Sequence, residues 1–125
     1  MDMGSSAWNP KSKNTVLPLL GNLTVLEQPV NLNTLTDRYA AFVSDFIATH
    51  SQQPDPWFFY MAFSHVHTPD FASPEFCNRS LRGRFGDALE EMDSLTGSIM
   101  QALEAAGVDD DTIIFFRYWG ACARW

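Results

Sequence analysis

Residues 57–63 read Trp57-Phe-Phe-Tyr-Met-Ala-Phe63, a continuously apolar and aromatic run that follows two prolines. Such a run is typical of a strand that is covered on both faces, because a surface strand would alternate apolar and polar residues. We therefore predict that residues 57–63 form the first strand of a buried sheet.

A long helix and a second strand are predicted farther along the chain. Apolar residues at helical spacing trace one face from Phe85 to Ala106, and Gly107 is a natural stop. The run Thr112-Ile-Ile-Phe-Phe116 is short, β-branched and apolar, which predicts a strand. Strand, helix and strand in this order predict two parallel strands with a right-handed crossover. The predicted fold class is therefore α/β, with a strand–helix–strand core of parallel strands.

The chain before the first strand is predicted to contain one helix. Apolar residues recur at helical spacing over residues 35–50, and Thr34 with Asp37 resembles a capping box. Residues 1–15 are polar and lack periodicity, so an irregular N-terminal segment is expected.

Composition restricts the classes of function. The chain has 125 residues and a formal net charge of -7, without a basic stripe that could neutralise phosphates, so nucleic acid is not an expected partner. The longest apolar run, residues 57–63, is far short of the roughly 20 residues of a membrane-spanning helix. No signal peptide is recognised at the N-terminus, so the chain as written is expected in the cytosol.

The candidate for chemistry is the pair His65 and His67, directly after the first predicted strand. Ligands of open α/β sheets collect beyond the carboxyl ends of strands, here residues 64–69 and 117–120. An imidazole there could bind an anion, act as acid or base, or bind metal, whereas loop histidines that bond to backbone are the alternative. Two histidines alone do not make a zinc site.

Other polar groups are assigned structural or conditional roles. A solvated helix face explains the acidic group better than a metal site does; its members are Asp87, Glu90, Glu91 and Asp93. Asn22 and Asn78 begin N-glycosylation patterns, which matter only in a secreted chain. Cys77 and Cys122 do not define a disulfide framework.

Five stretches resemble arylsulfatase A-like sulfatases in order and spacing, over roughly residues 16–116. The longest is Phe58-Phe-Tyr-Met-Ala-Phe-Ser-His-Val-His-Thr-Pro69, and Arg82-Gly-Arg-Phe-Gly-Asp-Ala-Leu-Glu-Glu-Met-Asp93 follows it. The others are Pro18-Leu-Leu-Gly-Asn-Leu-Thr-Val25, Arg38-Tyr-Ala-Ala-Phe42 and Phe71-Ala-Ser-Pro-Glu-Phe76.

The resemblance implies part of an alkaline-phosphatase-like domain that hydrolyses sulfate esters in a lysosomal or secreted enzyme. It implies that His67 contacts the substrate sulfate and acts in catalysis, with His65 as a structural neighbour. It also implies glycosylation at Asn22, with Asn78 a weaker candidate. Residues 16–116 would belong to the catalytic domain, and residues 117–125 would be a divergent tail.

The departures from the family pattern concern the nucleophile and the metal. The sequence contains neither the Cys-x-Pro-Ser-Arg motif, whose cysteine becomes formylglycine, nor the early Asp-Asp pair that holds calcium. After Phe116 the family has Ser-Asp-Asn-Gly, whereas this chain reads Arg117-Tyr-Trp-Gly120. No metal ligand is therefore assigned, and the chain is expected to be an internal fragment that is inactive alone.

Two alternatives stay open from the sequence. One is a non-catalytic splice product or binding fragment that keeps a family-like surface without turnover. The other is a piece of a related phosphodiesterase or phosphonate hydrolase, since fold alone does not determine which ester is cleaved.

Overall fold

The computed structural model describes residues 17–67 and 70–117. The predicted N-terminal segment 1–15 and the tail after Arg117 lie outside these residues. Strand β1 (Leu19–Gly21) pairs with β2 (Thr24–Glu27) in an antiparallel hairpin, with an irregularity in register between Leu19 and Leu20. A 3-10 turn (Leu32–Thr34), helix α1 (Leu35–His50) and helix α2 (Gly83–Ala106) follow.

Helix α1 confirms the prediction over residues 35–50, although its start differs from the predicted capping box. The Thr34 side chain makes no cap hydrogen bond. Instead, Asn31 caps the preceding 3-10 turn, where its Oδ1 accepts from the N–H of Asn33 at 3.1 Å. An ion pair between Arg38 and Glu27 connects α1 to the end of β2.

Helix α2 ends where the sequence predicts. Gly107 has φ +67°, a left-handed conformation that glycine adopts without steric cost. Its N–H bonds to the carbonyl of Glu104, and the N–H of Val108 bonds to the carbonyl of Leu103. These bonds satisfy the carbonyls at the helix end and stop α2 at Ala106.

The main apolar core lies between the two helices and residues 57–61. Val43 and Ile47 of α1 meet Leu103 of α2, and all three are buried. Phe46 packs against Trp57 and Phe59, with ring centroids 5.6 and 4.9 Å apart. The aromatic run therefore contributes to the core, as its composition predicts.

The predicted strands at residues 57–63 and 112–116 do not belong to a sheet in the described residues, where the β1–β2 hairpin is the only sheet. Exposure alternates along residues 57–63, with Phe58 85% and Tyr60 79% exposed between partly buried neighbours. One face is covered, not two. A strand exists through its hydrogen-bonded ladder, and these segments have no ladder partner within residues 17–67 and 70–117.

We expect Gly86→Ala to lower the free energy of unfolding by about 1–3 kcal/mol, the usual cost of overpacking. A Cβ at position 86 would lie 2.1 Å from Ser80 Oγ and 2.7 Å from Ser80 Cβ, so the loop before α2 would have to shift. Gly97→Ala is the matched control, because apart from its two neighbours and the backbone of its own helix nothing lies within 4 Å of its Cβ position.

The control substitution should raise stability by up to about 1 kcal/mol through helix propensity. Thermal unfolding of a folded protein that contains this segment measures both changes. Equal effects of Gly86→Ala and Gly97→Ala would contradict the close contact with Ser80.

Candidate functional site

Helix α1 holds the chain where the aromatic run ends. Ser64 and His65 are buried, with 4% and 3% of their surface exposed. The hydroxyls of Ser64 and Tyr39 are 2.8 Å apart, and His65 Nε2 lies 3.1 Å from Thr36 Oγ1. Thr36 and Tyr39 are three residues apart, so one face of α1 supplies both contacts.

Helix α2 contributes the Glu91 carboxylate to the same place. Glu91 is 1% exposed, and its Oε2 accepts a hydrogen bond from the N–H of Ser73 at 2.8 Å. The same oxygen lies 3.5 Å from His65 Nε2. One carboxylate therefore contacts the chain on both sides of His67, at residues 65 and 73.

Burial favours the neutral form of the His65 side chain. Burial lowers its pKa, and the charge of Glu91 with its hydrogen bond opposes this effect only in part. A proton on Nε2 suits both neighbours, because it can be donated to Thr36 Oγ1 while facing Glu91. Because the folded state disfavours the protonated form, the lowered pKa makes the free energy of unfolding depend on pH. The contribution of His65 is fully present above the ordinary histidine pKa of about 6.5, and it is lost as the pH falls through the lowered value.

The two histidines face different environments. Val66 between them has φ +55°, a left-handed conformation that is rare for a β-branched residue. His65 is buried, whereas His67 is exposed at the surface. The sequence alone did not predict this difference, because residues two apart share a face only while the chain remains a strand.

A second carboxylate of α2 organises the loop that precedes the helix. Asp87 is 3% exposed and accepts hydrogen bonds from three consecutive backbone N–H groups, those of Asn78, Arg79 and Ser80, at 2.8–3.1 Å. The bond from Ser80 contributes most to lowering the pKa of Asp87, those from Asn78 and Arg79 add to it, and burial opposes them. Asp87 therefore has a structural role as an ionised acceptor.

The interpretation of the acidic group as a solvated face is wrong for two of its four members. Glu90 and Asp93 are exposed as expected, but Asp87 and Glu91 are buried. The sequence does contain a signal for the burial of these two carboxylates. Asp87, Glu91 and Leu95 follow one another at intervals of four residues, so both carboxylates share a helix face with a core leucine.

The part of the chain that the structure describes contains no cluster of metal ligands. Within residues 17–67 and 70–117, no three side chains of His, Cys, Asp or Glu are placed to hold a metal ion. In the same residues, neither helix is long and apolar enough to cross a membrane.

The glycosylation candidates both lie in turns. Asn22 is exposed between β1 and β2 with φ +54°, and Asn78 is exposed in the loop before α2 with φ +60°. Thr24, the third residue of the first pattern, is also exposed, whereas Ser80 of the second is partly buried. The Asn22 pattern is therefore the more accessible of the two.

The two cysteines are predicted not to define a disulfide framework. Cys77 is exposed and unbridged, and its thiol donates to the carbonyl of Ala72 at 3.4 Å. Cys122 lies outside the described residues.

A cleft of about 300 Å³ opens between α1, α2 and residues 73–76. Its lining is rich in polar groups and includes Thr36, Ser73 and Glu91 but not His67. The cleft is therefore distinct from the surface that presents His67.

Comparison with known proteins identifies relatives of this sequence. The sequence profile of the family described as Sulfatase matches residues 3–117. The chain is 42% identical to human arylsulfatase A over 100 residues, which cover 80% of this chain and 20% of the relative. It is 36% identical to rat steryl-sulfatase over 97 residues, 78% of this chain and 16% of the relative.

A third relative carries a different substrate in its name. The chain is 40% identical to rat N-acetylgalactosamine-6-sulfatase over 94 residues, which cover 72% of this chain and 18% of the relative. The chain thus spans about a fifth of the length of the curated relatives it matches.

Proposed function

Because the chain belongs to the sulfatase family, we propose that it forms part of the catalytic domain of a sulfuric ester hydrolase, in which His67 contacts the sulfate. One observation carries the proposal. His67 is exposed two residues after His65, which is buried and held by α1 and α2. The His67 imidazole therefore lies at the surface, on a backbone that the contacts of His65 with α1 and α2 hold in place.

The chemistry assigned to His67 is hydrogen bonding or proton transfer. An imidazole can donate to a sulfate oxygen, or protonate the oxygen of the leaving alcohol as the ester bond breaks. The nucleophile in this proposal is a formylglycine formed from a cysteine, and it belongs to a part of the enzyme outside these 125 residues. The sequence has no Cys-x-Pro-Ser-Arg motif that could supply it.

Calcium is the metal that the family resemblance implies. The described residues do not fit such a site, because no three potential ligands converge among them. We assign the calcium ligands to the rest of the enzyme and derive no step through the metal.

The parallel sheet remains part of the proposal. The aromatic rings of Phe63 and Phe116, the last residues of the two predicted strands, have centroids 6.1 Å apart. This contact supports a parallel arrangement, in which the carboxyl ends of the two segments would lie at the same edge of the sheet. The exposed faces of both segments, which include Phe58 at 85% and Phe115 at 91%, would be covered by the remainder of an alkaline-phosphatase-like domain.

The remaining assignments follow from the same family membership. We propose that residues 16–116 are the catalytic-domain portion, that the parent enzyme is lysosomal or secreted, and that Asn22 is its glycosylation site in this segment. The exposed turn at Asn22 supports the last of these.

The function is tested in a full-length host, defined as a complete sulfatase that contains residues 17–117. The natural parent would serve, as would human arylsulfatase A with its aligned segment replaced by this one. We expect the purified host to hydrolyse a chromogenic aryl sulfate much faster than the matching phosphate diester. Preference for the phosphate diester by the natural parent would favour the phosphodiesterase alternative, and activity toward neither ester would favour a non-catalytic product.

A further inference from the structure

We propose that Glu91 is a positioning residue for His67, which it serves by anchoring the chain on both sides of that histidine. This inference rests on the proposed function of His67. Glu91 Oε2 accepts from the N–H of Ser73 at 2.8 Å and lies 3.5 Å from His65 Nε2. No residue of α2 is assigned such a role by the sequence pattern.

Glu91 can position these residues because its side chain is buried on a long helix that packs into the core. It lies on a 24-residue helix, its neighbours along the same face, Ala88 and Leu95, are buried, and so is the adjacent Met92. A fully buried carboxylate on a packed helix has few rotamers open to it, so it can hold its partners at defined positions. The helix thereby sets the position of residues 65 and 73 relative to the core.

The reason for retaining a carboxylate here is the acceptor that Glu91 Oε2 provides, whereas Glu91 Oε1 and His65 Nδ1 are buried without a hydrogen-bond partner in the described part of the chain. Loss of the Glu91 side chain would leave the Ser73 N–H without its acceptor and remove the charge that faces His65. Other contacts of His65, namely Thr36 Oγ1 at 3.1 Å and the Phe71 ring at 4.8 Å between centroids, would remain. The expected result is a displaced loop on an otherwise folded domain.

The variants are chosen to separate positioning from stability. Glu91→Leu removes both acceptor oxygens at similar volume, while Glu91→Gln keeps one acceptor oxygen for Ser73. Glu90→Leu is the matched control, because Glu90 is the exposed residue beside Glu91 on α2. Thermal unfolding of each variant shows how much of its protein is folded under the assay conditions.

In the full-length host, Glu91→Leu is expected to lower kcat by about 10²-fold, the cost of a misplacement of roughly 1 Å, with a smaller change in KM. Glu91→Gln should keep kcat within about tenfold of the unsubstituted host, and Glu90→Leu should leave it unchanged. Equal losses from Glu91→Leu and Glu90→Leu would overturn the proposal.

A double substitution tests whether Glu91 acts through His67. If it does, Glu91→Leu combined with His67→Ala should be no slower than His67→Ala alone, because the misplaced group is already absent. Losses that multiply would mean that Glu91 affects catalysis by another route. A host in which His67→Ala has no effect would instead refute the proposed function.

Hydrogen exchange supplies a readout that does not depend on turnover. Glu91→Leu should accelerate exchange of the Ser73 amide, whose acceptor is lost, while amides in the middle of α1 remain protected. Unchanged protection at Ser73 would overturn the anchoring role, whether or not the host is active.

Discussion

Replacing His67 with alanine in the full-length host is expected to lower kcat by about 10²–10⁴-fold, the range typical of a positioned acid or base. The exposed imidazole follows the aromatic segment 57–63, and in the proposed parallel sheet this is the edge at which ligands would bind. Under the proposed function, loss of the imidazole removes a donor to the sulfate or to the leaving oxygen. Steady-state kinetics with a chromogenic aryl sulfate measure the change.

His65→Ala is the comparison that distinguishes a role in turnover from a role in stability. His65 is buried and bonded to Thr36, so its loss should lower the thermal stability and cost less in turnover than loss of His67. Equal reductions of kcat by the two substitutions, in proteins of equal folded fraction, would contradict the assignment of His67 over His65.

The 125-residue chain by itself is expected to show no measurable sulfatase activity, even when calcium is supplied. Its sequence has no Cys-x-Pro-Ser-Arg motif, so no aldehyde-derived nucleophile is available to take the sulfate. The covalent route that divides one difficult step into two is therefore closed. His67 alone would give about 10²–10⁴-fold, against 10⁶-fold or more for most enzymes, a shortfall of several kcal/mol in transition-state stabilisation.

Arg117 does not remedy this shortfall, because a guanidinium remains protonated and supplies no nucleophile. The measurement uses the purified chain with calcium and a chromogenic aryl sulfate, beside the same chain carrying His67→Ala. Turnover above buffer that disappears in the substituted chain would show that the chain is an enzyme by itself.

The periodicity of apolar residues alone was sufficient to predict the two helices. The spacing of apolar residues predicts α1 over residues 35–50, and Gly107 predicts the end of α2, because helix formation and termination depend on neighbours within one or two turns. The resemblance carried by residues 58–69 and 82–93 likewise identified the family that the sequence comparison supports.

Only the tertiary structure showed what surrounds the polar groups. Composition favoured a solvated acidic face, yet Asp87 is buried beneath three backbone N–H groups, and Glu91 lies between Ser73 and His65. Those partners are 7 to 26 residues away along the chain, beyond the reach of a helical pattern. Whether a carboxylate is buried depends on which hydrogen-bond donors the fold brings to it, and these cannot be identified from a local pattern. An apolar stripe is buried because of its own composition, so the sequence alone determined the helices and their apolar faces. The tertiary structure decided the surroundings of the polar groups.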